Sequence, residues 1–241
     1  MSNKVGFGRD INAFLREIGQ DAPCEGQESS GVAFRSRITS ISPLGSEKVT
    51  VRVTVANPSG SEKVEFSIMK VHSEQLELSV GEIEEELLPE LEYYADVARA
   101  YSSACSSFAF SPSPLKALYK KLVQKGFERD VASDAIEVLK GSGAIDENEM
   151  AARRAQLLSE KLWGRSRILM KLREDGFEDG AISCAMSALD EVDFASNCAE
   201  LIRKKFGSIP KERHELDKMY ASLSRMGFSS SDIRAAMSLL Q

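Results

Sequence analysis

Leu122-Val123-Gln124-Lys125-Gly126-Phe127, Leu172-Arg173-Glu174-Asp175-Gly176-Phe177 and Leu223-Ser224-Arg225-Met226-Gly227-Phe228 are three copies of one pattern, 50 and 51 residues apart. The agreement runs past the Gly-Phe pair. Nine residues after each glycine stands Ala (Ala135, Ala185, Ala236), ten after stands Ile136, Met186 or Met237, and thirteen after stands Leu (Leu139, Leu189, Leu240). Self-similarity at a fixed period is the sequence signature of a repeat architecture.

The unit has a simple physical reading. A glycine in the left-handed region ends a helix and folds the next residue back over the last turn, which brings Phe127 onto Leu122, Phe177 onto Leu172 and Phe228 onto Leu223. A second helix starts almost at once: Ser229 with Asp232 three residues on has the spacing of an N-terminal cap, and Phe228 can staple to Ile233 as Phe177 can to Ile182. Gly126, Phe127, Gly176, Phe177, Gly227 and Phe228 are therefore read as structural corners. A further helical stretch precedes each corner unit, over 88–106, 147–162 and 193–206. The expected fold is mainly α: three tandem three-helix repeats (about 82–140, 141–190 and 191–241) stacked into an elongated, curved body.

Ahead of the repeats the period changes. Val49, Val51, Val53 and Val55 alternate with polar residues, as do Val64, Phe66 and Ile68, with turn chemistry at Asn57-Pro58-Ser59-Gly60 and Pro43-Leu44-Gly45-Ser46. With an earlier strand at 34–41, residues 32–81 predict a small three-stranded antiparallel meander. Residues 1–31 read as a mobile tail with one short amphipathic stretch (Ile11, Phe14, Leu15, Ile18), and residues 82–241 as the helical repeat domain. The acids at 82 and 84–86 suit the first turn of the opening helix.

Composition narrows the function. Of 241 residues, 42% are hydrophobic and 28% charged, near globular averages, and the net charge is −6. Up to Ser111 there are 10 Lys+Arg against 17 Asp+Glu, and afterwards 21 against 20. A protein that coats free nucleic acid by bulk electrostatics needs a basic face, so that class is disfavoured, while a local basic stripe in the second half is allowed. Two histidines, His72 and His214, cannot assemble a dyad or a histidine-rich metal site from neighbours in sequence. No phosphate loop or nucleophile-base pairing is visible, so neither an enzyme nor a cofactor is expected. Cys24, Cys105, Cys184 and Cys198 lack C-x-x-C spacing, which predicts reduced, packed thiols in a cytoplasm. No apolar run approaches the roughly 18 residues of a membrane span.

One cluster stands out. Arg153, Arg154, Lys161, Arg165, Arg167, Lys171 and Arg173 place seven cations between 153 and 173 with Glu160 the only acid among them. A solvated helix face is normally mixed in sign. On residue type alone the run reads equally as a solvated face and as an electropositive contact surface. Arg203, Lys204 and Lys205 would extend it into the third repeat. Trp163, Met186, Met226 and Met237 read as packing residues.

From about residue 88 onward the chain resembles the RecX family of bacterial modulators of the RecA recombinase. The resemblance rests on the three helix-Gly-Phe-helix units, on Gly143-Ala-Ile-Asp146-Glu147, on Lys161-Leu-Trp163-Gly164-Arg-Ser-Arg167-Ile168, and on Val192-Asp193-Phe194 with Arg203-Lys204-Lys205-Phe206-Gly207. The strands, with Leu78-Ser-Val-Gly81, look like the β-region ahead of the repeats in longer members. Where the family has an Arg-rich approach to the first corner, this chain has Ser111-Pro112-Ser113-Pro114. The resemblance implies a non-enzymatic, monomeric regulator that binds the RecA filament on single-stranded DNA, with inhibition favoured over assistance, and it tips the ten cations toward a filament-facing role. The competing reading is a ubiquitin-associated-like module or other helical binding scaffold. Met226-Gly227-Phe228 mimics that module's first corner, but only Gln241 follows Leu240, leaving no room for its third helix.

Overall fold

The computed structural model describes residues 35–57, 60–84 and 86–241. The expected tail at 1–31 lies outside the described residues, as do Cys24 and the start of the expected β-region.

The period-two segments form β1 (Arg35–Leu44), β2 (Lys48–Asn57) and β3 (Gly60–Met69), paired antiparallel. Register puts Val49 opposite Ile68, Val51 opposite Phe66 and Val53 opposite both Ile38 and Val64. One face is therefore apolar, and Ile38, Val51, Val53 and Ile68 on it are fully buried. Thr39 sits at a bulge in β1, where its Oγ1 donates to the carbonyl of Arg52 at 3.1 Å.

The sheet has four strands rather than the expected three. A short helix α1 (Lys70–Gln75) follows β3, and β4 (Gly81–Ile83) then pairs with β1 to give the order β3-β2-β1-β4. Glu82 thus lies opposite Arg37 in a strand, and not in a helical first turn. Three residues are too few to display an alternating pattern, which is why the acids beside them read as the start of a helix.

Nine further helices complete the described chain. The first repeat is α2 (Leu87–Phe110), α3 (Leu115–Gln124) and α4 (Arg129–Gly141). The second is α5 (Glu147–Glu160), α6 (Arg165–Asp175) and α7 (Asp179–Ala188). The third is α8 (Phe194–Phe206), α9 (Arg213–Arg225) and α10 (Ser230–Ser238). The fold is mainly α with a small antiparallel sheet, as the sequence implies.

The corners have the expected geometry. Gly126, Gly176 and Gly227 have φ of +95°, +97° and +90°, and the amides of Phe127, Phe177 and Phe228 donate to the carbonyls of Leu122, Leu172 and Leu223 at 3.2, 3.2 and 3.3 Å. Ser229 and Asp232 form a reciprocal capping box. Ala135, Ala185 and Ala236 are completely buried. A small side chain there lets the helices of one unit pack closely.

Among the described residues two apolar clusters hold the repeats. One holds the first repeat and includes Met69 from the end of β3; the other runs without a break through the second and third repeats, from Ala151 to Ala236. Met150 packs against both. The sheet is tied to α2 by polar contacts as well: the Tyr101 hydroxyl donates to Glu47 at 2.9 Å, and the Lys48 ammonium donates to Ser102 Oγ and the Ala98 carbonyl. Cys198 is buried, which pushes its thiol up to about 12, whereas Cys184 faces solvent on α7 and is not the packed thiol its apolar neighbours predict. Among the described residues no helix is long and apolar enough to cross a membrane.

Candidate functional site

Nine of the ten cations are carried by α5, α6 and α8, Lys161 follows the last residue of α5, and the fold gives them different work. Arg165 and Arg167 are taken up in packing. Arg165 reaches from the first turn of α6 to the far end of α7, where it donates to Asp190 Oδ1 and to the Leu189 carbonyl, both at 2.9 Å, with its guanidinium 5.4 Å from the ring centre of Phe194. It satisfies carbonyl and carboxylate at a helix C-terminus. Arg167 lies 3.9 Å above the Trp163 ring and points Nη1 at Met226 Sδ, 2.6 Å away. Trp163 is thereby half-buried between repeats.

Three more are paired with acids. Arg154 Nε meets Asp175 Oδ2 at 3.3 Å, Lys171 Nζ meets Asp175 Oδ1 at 2.9 Å and Glu174 at 3.6 Å, and Lys204 meets Glu200 at 2.6 Å. The hydrogen bond to Asp175 raises the Lys171 pKa above the ordinary lysine value. Lys205 donates to Ser222 Oγ at 2.7 Å and lies 5.6 Å from the Phe206 ring centre. Four remain: Arg153, Lys161, Arg173 and Arg203 are exposed and have no ion pair among the described residues. They span the second and third repeats.

The acids that neutralise the run sit just beyond it in sequence or across a helix pair. Asp175 and Glu174 stand four and three residues after Lys171, a spacing that faces them on a helix and was legible as such. Asp190 required the α6–α7 packing, which no local pattern encodes.

Arg153 and Arg154 also line a groove of about 560 Å³ between α5, the loop before α3 and the second corner. Pro112, Pro114, Met150, Leu157 and Phe177 supply its apolar wall. Leu157 is 46% exposed and lies one turn after Arg153 on α5. Pro112, Ser113 and Pro114 in the stretch before α3 form one side of this groove. Phe110, at the end of α2 just before it, is 93% exposed.

Comparison with known proteins agrees with the fold. Residues 191–237 match the family model for RecX, third three-helix domain. A protein named "Regulatory protein RecX" from Xanthomonas axonopodis pv. citri (strain 306) is 33% identical over 126 residues, covering 50% of this chain and 75% of the relative. The protein of the same name from Halorhodospira halophila (strain DSM 244 / SL1) is 29% identical over 120 residues, covering 49% of this chain and 74% of the relative. A structure described as "Crystal structure of regulatory protein RecX" superposes with a TM-score of 0.59 at 20% identity over 83% of this chain and 97% of that one. "Crystal structure of RecX from Lactobacillus salivarius" gives 0.51 at 20% identity over 60% and 96%. At that identity the two structures speak for the fold alone.

Proposed function

The chain belongs to the RecX family of regulatory proteins, and on that premise we propose that it is a non-enzymatic regulator which binds the RecA filament on single-stranded DNA and inhibits its assembly, ATP hydrolysis and strand exchange. The observation that carries the reading is the set of four open cations, Arg153, Lys161, Arg173 and Arg203, distributed over two repeats that share one core. A rigid helical body with successive outward charges suits a helical groove lined by phosphate and acidic protein surface. Arg154, Lys171, Lys204 and Lys205 supply a second rank, held by their acids and by Ser222. Arg165 and Arg167 hold the body together.

The test replaces Arg153, Lys161, Arg173 and Arg203 together by Glu, because single exposed charges contribute only about 0–1 kcal/mol. DNA-dependent ATP hydrolysis by the filament, titrated with each protein at low salt, reads the outcome. The variant is expected to need roughly ten times more protein for the same effect, with unchanged circular dichroism, and the wild-type effect is expected to weaken as salt rises. Equal potency of the two proteins would remove these cations as the contact.

A further inference from the structure

A second concavity lies on the opposite charge. Between α1, the start of β2, the middle of α2 and the end of α4 is a slot of about 570 Å³. Its inner wall is Met69, His72 and Tyr101, each at least nine-tenths buried, and Val71 and Val138 stand at its edge. Glu47, Glu74 and Glu137 contribute carboxylates, and Gly141 and Ser142 bring the C-terminal end of α4, which carries partial negative charge. Among the described residues Lys70 is the one cation in the lining, and it lies 3.7 Å from Glu74.

His72 adds no charge of its own to the slot. Its ring stacks on Tyr94 at 4.3 Å, it is 6% exposed, and its Nδ1 is buried with no hydrogen-bond partner among the described residues. Burial keeps the imidazole below its ordinary pKa, against the opposing pull of Asp134, so it stays neutral near pH 7. Tyr101 orients Glu47 through its 2.9 Å hydrogen bond. Acceptors therefore dominate the lining, and apolar walls separate them.

From this we infer that the slot takes an arginine side chain of a partner polypeptide. A guanidinium presents a planar fork to carboxylates, and its three-carbon stem suits the apolar wall formed by Met69, Val71 and Tyr101. A metal ion does not fit: among the described residues no group of three or more His, Cys, Asp or Glu is placed to hold one. The volume exceeds one side chain and leaves room for the flanking residues of a peptide. This site is separate from the basic surface on α5, α6 and α8, so either can fail alone.

The experiment titrates the full chain, labelled with nitrogen-15, with acetyl-Gly-Arg-Gly-amide and with the same peptide carrying citrulline, which is nearly isosteric and uncharged. The amides of Gly141 and Ser142 and the His72 ring proton are followed by NMR. Saturable shifts are expected with the arginine peptide, at least tenfold weaker binding with citrulline, and a comparable loss in a Glu47→Gln, Glu137→Gln variant. Both glutamates are exposed, so the fold should persist; if circular dichroism shows otherwise, the citrulline arm alone decides. Shifts that never saturate, or equal binding of the two peptides, would overturn the assignment.

Discussion

Where the third repeat meets the second, backbone touches backbone. The Gly164 amide donates to the Met226 carbonyl at 2.8 Å and the Ser166 amide to the Gly227 carbonyl at 3.2 Å, so the third corner sits on the N-terminus of α6. A Cβ placed on Gly164 would lie 2.1 Å from the Gly227 carbonyl carbon, and one on Gly227 would lie 2.4 Å from the Arg167 amide nitrogen. Where the second repeat meets the first, the same elements stand further apart. A Cβ on Gly176 would find Lys116 Cβ at 3.6 Å, an ordinary contact. The junction is bridged by side chains instead: Glu147 Oε1 accepts from the Leu115 amide at 2.7 Å, and Lys140 pairs with Glu178 at 3.1 Å.

One substitution within the repeat removes a bond outright. The repeat spacing places Pro114 where the next unit has Gly164, and Asp175 where it has Met226. Proline has no amide hydrogen, so the bond that the Gly164 amide makes at the second junction cannot form at the first. Glu147 answers by capping the Leu115 amide at the N-terminus of α3, at the expense of a carboxylate whose burial lifts its pKa. One repeat sequence thus yields a junction that is welded and one that is latched. Repeats two and three form one body; the first repeat shares its core with the end of β3 instead.

The largest expected effect is at the welded junction. Gly227→Ala combines left-handed strain of about 1–2 kcal/mol with overpacking of about 1–3 kcal/mol. Gly164→Ala, at φ −76°, isolates the overpacking. Gly176→Ala and Gly126→Ala, the second with open space around it, should lose only the strain, about 1–2 kcal/mol. Urea unfolding of the four variants checks the order, and a Gly227→Ala variant no less stable than Gly126→Ala would break the comparison. Next comes the latch: Glu147→Ala should cost about 1 kcal/mol, the usual value of a lost helix cap, and should leave the midpoint of the third repeat unchanged.

The smallest effect concerns the sheet side. Burial lowers the folded-state pKa of His72 below 6.5, so the unfolded chain takes up the proton first as pH falls. Its contribution is present above about pH 6.5 and is lost as pH drops through the lowered folded value. Wild type should lose stability over that range more steeply than His72→Phe. Parallel curves for the two proteins would show that His72 is not buried in solution.

How far this was legible in sequence depends on the length of each signal. The three corners were readable because a glycine, a phenylalanine, an alanine and a leucine recur together, and each has a mechanical reason in the structure. The strands β1 to β3 were readable from alternation, whereas β4 and α1, at 3 and 6 residues, carry too little periodicity. The cations were visible but their partners were only half so: Asp175 follows Lys171 by one helical turn, while the contact of Arg165 with Asp190 and that of Arg167 with Met226 exist only after helices pack. Pro114 looked like a departure in a loop. Its consequence needs the neighbouring repeat in place.

Native-state amide hydrogen exchange tests the difference between the two junctions most directly, because each has its own reporter amide. The Gly164 and Ser166 amides should exchange only when the body formed by repeats two and three unfolds as a whole, with the same denaturant dependence as the core amides of α6 and α9. The Leu115 amide, held by the Glu147 side chain, should exchange through local opening, much faster and with little dependence on denaturant. Fast, denaturant-independent exchange at Gly164 and Ser166 would contradict the account.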